Sequence, residues 1–129
     1  MKVLLFFFSM LTAISAIAQI KTSENRIEIQ LKDGYENENV FEFGKNGFVL
    51  TSQSERYMLG QCELRFQRYS TDLTSVDEQI FQLKKGFIES KSFVEDNVLN
   101  KLIMNRLGQY SILQYDIRTG ELSQMDGDF

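Results

Sequence analysis

The chain has 129 residues, a formal net charge of −4, no histidine, no proline and a single cysteine, Cys62. This mild acidity argues against nucleic acid or an anionic membrane as a partner, because both are bound mainly through an excess of Lys and Arg. Without histidine and with one cysteine there is no Ser-His-Asp triad, no Cys-His pair, no zinc site of nitrogen and sulfur ligands and no internal disulfide, so stability must rest on burial and strand pairing.

The N-terminal stretch reads as an address. Lys2 supplies a positive n-region, Val3 to Leu11 an apolar h-region, and Ala16-Ile17-Ala18 a small-x-small cleavage site. Ser9, Thr12 and Ser15 interrupt the apolar run, which is shorter than the roughly 20 residues a spanning helix needs. Residues 1–18 are expected to be a signal peptide cut between Ala18 and Gln19, with no cysteine after the cut to carry a lipid. The remainder, 19–129, is one small domain, exported to the periplasm, the cell surface or the medium and free of the membrane once cleaved.

From Arg26 to Leu31 apolar Ile27, Ile29 and Leu31 alternate with polar residues, the period of a half-buried strand. Lys32-Asp33-Gly34 is a turn, and the acidic, Asn-rich Glu36 to Asn39 reads as loop. Val40 to Phe43 and Phe48 to Leu50 flank Gly44-Lys45-Asn46-Gly47 and predict a hairpin. Cys62 to Tyr69 predicts a strand with Cys62, Leu64 and Phe66 on its buried face. Cys62 itself reads as a small buried hydrophobe.

Two readings compete for Ser75 to Phe87. Ser75-Val76-Asp77-Glu78 fits a helix capping box followed by apolar residues at helical spacing, whereas Gln79 to Leu83 fits a short strand closed by Lys84-Lys85-Gly86. The strand is the expectation, since Gly86 falls in the last turn that the helix would need. A second hairpin follows, Phe87 to Val94 and Val98 to Met104 around Glu95-Asp96-Asn97. Then come a strand from Tyr110 to Tyr115, a turn over Ile117 to Gly120, a strand opening at Glu121, and a turn at Asp126-Gly127-Asp128.

Parts of this order occur twice. Val49-Leu50 and Val98-Leu99, Leu59-Gly60-Gln61 and Leu107-Gly108-Gln109, Tyr69 and Tyr115, and Leu73 and Leu122 recur at spacings of about 46 to 49 residues, and periods of about 40 to 50 residues with four strands each mark propeller blades. The domain divides into an N-terminal strand and loop (19–39), a first repeat (40–84) and a second (85–129). Tyr69, Asp72, Tyr115, Asp116 and Gly120 are the expected corners of the repeat. On this alignment the turn after Tyr69 is three residues shorter than the one after Tyr115.

The hairpin, the Leu-Gly-Gln turn, the strand to Tyr69-Ser70-Thr71-Asp72-Leu73 and the strand to Tyr115-Asp116 with Thr119-Gly120-Glu121-Leu122 resemble the blades of secreted β-propeller proteins of Gram-negative bacteria. The resemblance covers Val40 to Met125 and implies an all-β fold of antiparallel four-stranded blades in an incomplete ring. Two blades cannot close a ring of about four to eight. Either the chain begins a longer protein, with Arg26 to Leu31 as the closure strand, or several copies assemble, or the fold is something else; the first is the expectation.

Candidate chemistry is sparse. Glu36, Glu38 and Glu42, or Asp126 and Asp128, could pair as acids, but spacing in loops does not set the separation that glycosidase chemistry needs. Asp126-Gly127-Asp128 lacks the further ligands of a cation loop. No catalytic, cofactor-binding or metal residue is assigned. Tyr35, Tyr57 and Tyr110, near loops and strand ends, are the candidates for a binding surface.

The first functional reading is a non-enzymatic binding module whose loop face takes protein or glycan, with self-association through open blade edges. A second is a portion of a propeller enzyme with its catalytic residues beyond Phe129. A third is a small structural β-barrel or sandwich. Expression with the leader in a Gram-negative host, followed by N-terminal sequencing, is expected to give Gln19 as the first residue; an intact Met1 in the exported protein would refute the leader assignment.

Overall fold

The computed structural model describes Ile29 and residues 33–129. The expected leader and, apart from Ile29, the expected Arg26–Leu31 strand therefore lie outside the described residues; Ile29 itself belongs to no strand. Eight antiparallel strands form two four-stranded meanders. The first sheet takes β1 (Tyr35–Glu42), β2 (Phe48–Ser54), β3 (Gln61–Tyr69) and β4 (Ser75–Lys84) in that order; the second takes β5 (Ile88–Glu95), β6 (Val98–Met104), β7 (Gln109–Asp116) and β8 (Leu122–Asp128). The protein is all-β, and neither sheet closes on itself. Among the described residues no helix is long and apolar enough to cross a membrane.

The strand reading of Ser75–Phe87 holds, and the strand is longer than its apolar centre suggested. The capping box does not form because Asp77 and Glu78, on opposite faces of β4, each meet an arginine of β3 instead. Asp77 sits opposite Arg68 and accepts from its guanidinium. Glu78 takes Arg65 in a bidentate pair at 2.6 and 2.7 Å. Cross-strand charge pairs of this kind replace the capping bonds a helix would have offered.

Three expectations are corrected. Glu36 to Asn39 is part of β1 rather than loop: Glu36 pairs with Gln53 and Asn39 with Thr51, and a bulge between them takes up the extra residue. Asn37 there has φ +54°, a conformation that Asn tolerates better than most residues. As an edge strand with solvent on most of its side chains, this stretch needs backbone pairing with β2 and little apolar content. Second, Leu73 is not the counterpart of Leu122. Leu73 lies inside the β3–β4 connection (70–74) at φ +67°, whereas Leu122 opens β8 after a connection of the same length (117–121). Third, Asp126-Gly127-Asp128 is the end of β8 rather than a turn. Glycine is required at 127 because the ring of Tyr110, its cross-strand partner, occupies the space a Cβ would take.

The two sheets pack face to face, and the register shows which faces meet. In β3 the even-numbered Cys62, Leu64 and Phe66 are buried toward the second sheet. Their counterparts 48 residues on, counted from Gln61 and Gln109 at the strand starts, are Tyr110, Ile112 and Gln114. These lie on the far side of the second sheet, because β7 turns Ser111, Leu113 and Tyr115 inward. The sheets therefore stack front to back, like on like, and are not related by a two-fold axis.

Contacts between matching connections agree with this arrangement. Asn46 in the β1–β2 connection donates to Asn97 in the β5–β6 connection at 2.7 Å, and Arg68 at the end of β3 donates to the Ile117 carbonyl just past β7 at 2.6 Å. At the centre of the core the Phe66 and Tyr115 rings stack at 5.5 Å and 9°. Val49, Leu64 and Leu83 surround them from one side and Leu99, Ile103, Leu113 and Ile117 from the other. Cys62 is buried and unoxidised, with Gln53 donating to its sulfur at 3.3 Å.

A fully buried charge lies inside this interface. Lys101 of β6 is 0 % exposed, and its ammonium donates to Glu89 at 2.7 Å and Ser92 at 3.1 Å while lying 5.0 Å from the Phe41 ring centroid of the first sheet. Burial pushes its pKa below the usual lysine value, and the Glu89 partner restores only part of the loss. For Glu89, burial acts upward, but the bonds from Lys101 and Ser92 outweigh it and hold the carboxyl below its ordinary range. The stabilisation linked to Glu89 is thus present above the unfolded glutamate pKa and is lost as pH falls through the lower folded value.

Stranding the lysine should cost more than removing it. Glu89→Ala is expected to destabilise the fold by about 3–5 kcal/mol, and Lys101→Met by less, because the carboxylate left behind is one-third exposed whereas the ammonium is wholly buried. Urea denaturation of both variants checks the order; a larger loss in Lys101→Met would contradict it.

Candidate binding cleft between the sheets

Antiparallel meanders put alternate connections at opposite ends. The corner end gathers the β1–β2, β3–β4, β5–β6 and β7–β8 connections, and the turn end gathers β2–β3, β4–β5 and β6–β7. Backbone bonds hold the turn end together: the Lys85 amide donates to the Gly60 carbonyl at 2.8 Å and the Phe129 amide to the Gly108 carbonyl at 2.9 Å.

Tyr69, Asp72, Tyr115, Asp116 and Gly120 lie toward the corner end, in different surroundings. Tyr69 stacks on Phe48 at 5.0 Å, on the face of the first sheet turned away from the second. Tyr115 lies in the core, and its hydroxyl donates to Asp77 at 2.9 Å; burial foremost, then this bond, pushes its phenol pKa upward. Asp72 accepts from the Ser70 hydroxyl and from the Thr74 amide, and Asp116 accepts from the Arg118 amide at 2.8 Å. Both carboxyls are held below their ordinary pKa by these turn bonds, with the Ser70 and Arg118 side chains the leading causes. Gly120 has φ +73° and faces Asp77 and Arg68 so closely that a Cβ would collide with the ion pair.

Tyr35, Tyr57 and Tyr110 all lie toward the turn end but on different surfaces. Tyr35 starts β1 on the outer face of the first sheet, its hydroxyl bonded to Glu63 and its ring 5.4 Å from the Arg65 guanidinium. Tyr57 precedes the β2–β3 turn and is exposed. Tyr110 lies on the outer face of β7, over Gly127, with its ring 4.9 Å from that of Phe129. No common site joins the three.

A different set of residues converges. At the turn end a cleft of about 700 Å³ opens between the sheets. Phe81 and Phe87, both half-buried, line it on the side of β4 and the connection after it; Gln109, Ser111, Gln124, Asp126 and Asp128 line it on the side of β7 and β8. Period-two geometry explains the polar wall, since Asp126 and Asp128 pair with Ser111 and Gln109 and so project from the same face.

Asp126 is fixed in place. It accepts from the Ser111 hydroxyl and from the Gln124 amide at 2.6 Å. The Ser111 bond, then Gln124, then the Lys84 charge hold its carboxyl below the ordinary range. Exposed Leu59 and Leu107 mark the repeated turns at this end of the molecule. Leu59 also holds φ +52°, an unfavourable conformation for a bulky residue.

Sequence reasoning weighed Asp126 and Asp128 as paired acids and as a cation loop, set both readings aside, and missed the cleft. The signal available was their i, i+2 spacing, which becomes informative only once the segment is known to be a strand. Among the described residues, no group of three or more His, Cys, Asp or Glu side chains is placed to hold a metal ion. No family model, curated protein or solved structure matches this chain.

The Glu63 bond, followed by burial, pushes the Tyr35 phenol up to about 12. Its stabilising contribution is full below the unfolded tyrosine value of about 10 and is lost as pH rises through the folded one. Ultraviolet titration is expected to show a phenolate appearing near pH 12 that Glu63→Gln moves back toward 10; no change in that variant would refute the coupling.

Proposed function

We propose that this protein is an exported, non-enzymatic binding module of β-propeller type whose ligand is a glycan taken up in the cleft between its two sheets. The observation that carries the ligand assignment is the composition of that cleft: Phe81 and Phe87 on one wall, and Gln109, Gln124, Asp126 and Asp128 on the other. A sugar ring presents an apolar C–H face suited to an aromatic side chain and a rim of hydroxyls suited to carboxylate and amide groups. The two walls match those two needs. Asp126, already oriented by Ser111 and Gln124, would accept a hydroxyl with little further loss of freedom.

The propeller reading is supported by the front-to-back stacking of two like meanders and by the bulge in the first strand of each, between Glu36 and Asn39 and between Glu89 and Lys91. The leader-like residues 1–18 support export. With no histidine in the chain and its one cysteine buried, the reading assigns the protein recognition and no bond-breaking step.

Calorimetric titration with a panel of neutral and amino-bearing oligosaccharides tests it. At least one class is expected to bind. Asp126→Asn should weaken that binding by about 1.5–3 kcal/mol, the worth of a hydrogen bond to a charged group, or roughly 10- to 100-fold in Kd, and Phe87→Ala should weaken it as well. A folded protein that binds none of the panel, or binding indifferent to both substitutions, would remove the glycan assignment.

A further inference from the structure

The front-to-back arrangement leaves each sheet with one face that the other does not use. On the second sheet this outer face carries Ile88, Phe93 and Met125, exposed at 66 %, 44 % and 56 %, with Leu102 and Ile112 half-buried between them. Among the described residues no third sheet covers it. Leu102, Tyr110 and Ile112 are the counterparts of Gln53, Cys62 and Leu64, residues of the first-sheet face that packs on the second sheet. The outer face of the first sheet carries exposed Val40 on β1 and Ile80 on β4, with Leu50, Ser52, Arg65 and Gln67 between them. Leu50 is the counterpart of Leu99, which packs in the interface that already exists.

We infer that the outer face of the second sheet docks the outer face of the first sheet of another copy of this chain, repeating between molecules the packing found within one. The argument is one of continuity. An interface between like elements related by anything other than a two-fold axis is heterologous and leaves one unused half at each end of the stack. Ile88, Phe93 and Met125 on the second-sheet face form a larger set than the single surface hydrophobes that need no partner. Closing a ring of about four to eight sheets takes about two to four copies. The inference rests on the sheet stacking and is independent of the glycan cleft, which lies between the sheets of a single chain.

Analytical ultracentrifugation of the purified protein over a range of concentrations tests the proposal, with circular dichroism to confirm that each variant keeps its sheets. The unaltered protein is expected to sediment as an oligomer. A double variant of the second-sheet face, Phe93→Lys with Met125→Lys, should sediment as a single chain, and so should a double variant of the first-sheet face, Val40→Lys with Ile80→Lys. Mixed in equal amounts, the two variants should form a heterodimer and nothing larger, because each supplies the face that the other lacks. A single-chain mass for the unaltered protein throughout, or an oligomer that persists in either double variant alone, overturns the proposal. Sugar binding in the cleft is measured separately, so failure here and failure there are distinguishable.

Discussion

Phe66 lying flat on Tyr115 is the contact on which the rest of the molecule depends. Each ring comes from a central strand of its own sheet, and each is closed off from solvent by the aliphatic residues around it. The Tyr115 hydroxyl continues the contact by donating to Asp77, which also accepts from Arg68, and Arg68 in turn donates to the Ile117 carbonyl. One apolar stack and one chain of charge-assisted bonds thus fix the sheets in both distance and orientation. The bonds meet at Gly120, where no side chain larger than hydrogen fits, so the β7–β8 corner is shaped by the ion pair of the neighbouring sheet.

The sequence could be read where one period dominated. β3 alternates without exception from Cys62 to Phe66, and its register followed. The Leu-Gly-Gln turns located the starts of β3 and β7 because Gly60 and Gly108 both adopt positive φ there. The capping-box ambiguity at Ser75 resolved toward strand for a reason that no local pattern contains, the presence of Arg65 and Arg68 on the neighbouring strand. β1 was the opposite case. Its Glu36-Asn37-Glu38-Asn39 run has loop composition, yet as an edge it is held by backbone bonds to β2, and propensity gives way to pairing.

The cleft was illegible for a related reason. Phe81, Phe87 and Asp126 come from β4, the connection after it and β8, and only the stacking of one sheet on the other makes them neighbours. The buried Lys101 was equally hidden, since nothing in Val-Leu-Asn-Lys-Leu-Ile-Met distinguishes a lysine that faces water from one that faces Phe41. Fold-level repetition could be inferred from single residues, but the consequences of stacking required knowing which face each strand turned inward.

Cys62 gives the fold an internal witness. The thiol sits on the face of β3 that the second sheet covers, where reagents and oxidants do not reach it while the sheets remain together. On the export proposed above, one unpaired cysteine in an oxidising compartment would put the chain at risk of joining covalently to its neighbours. Here that hazard is confined to molecules that have not yet folded or have come apart, so thiol accessibility counts the misassembled fraction of the population without any added label site.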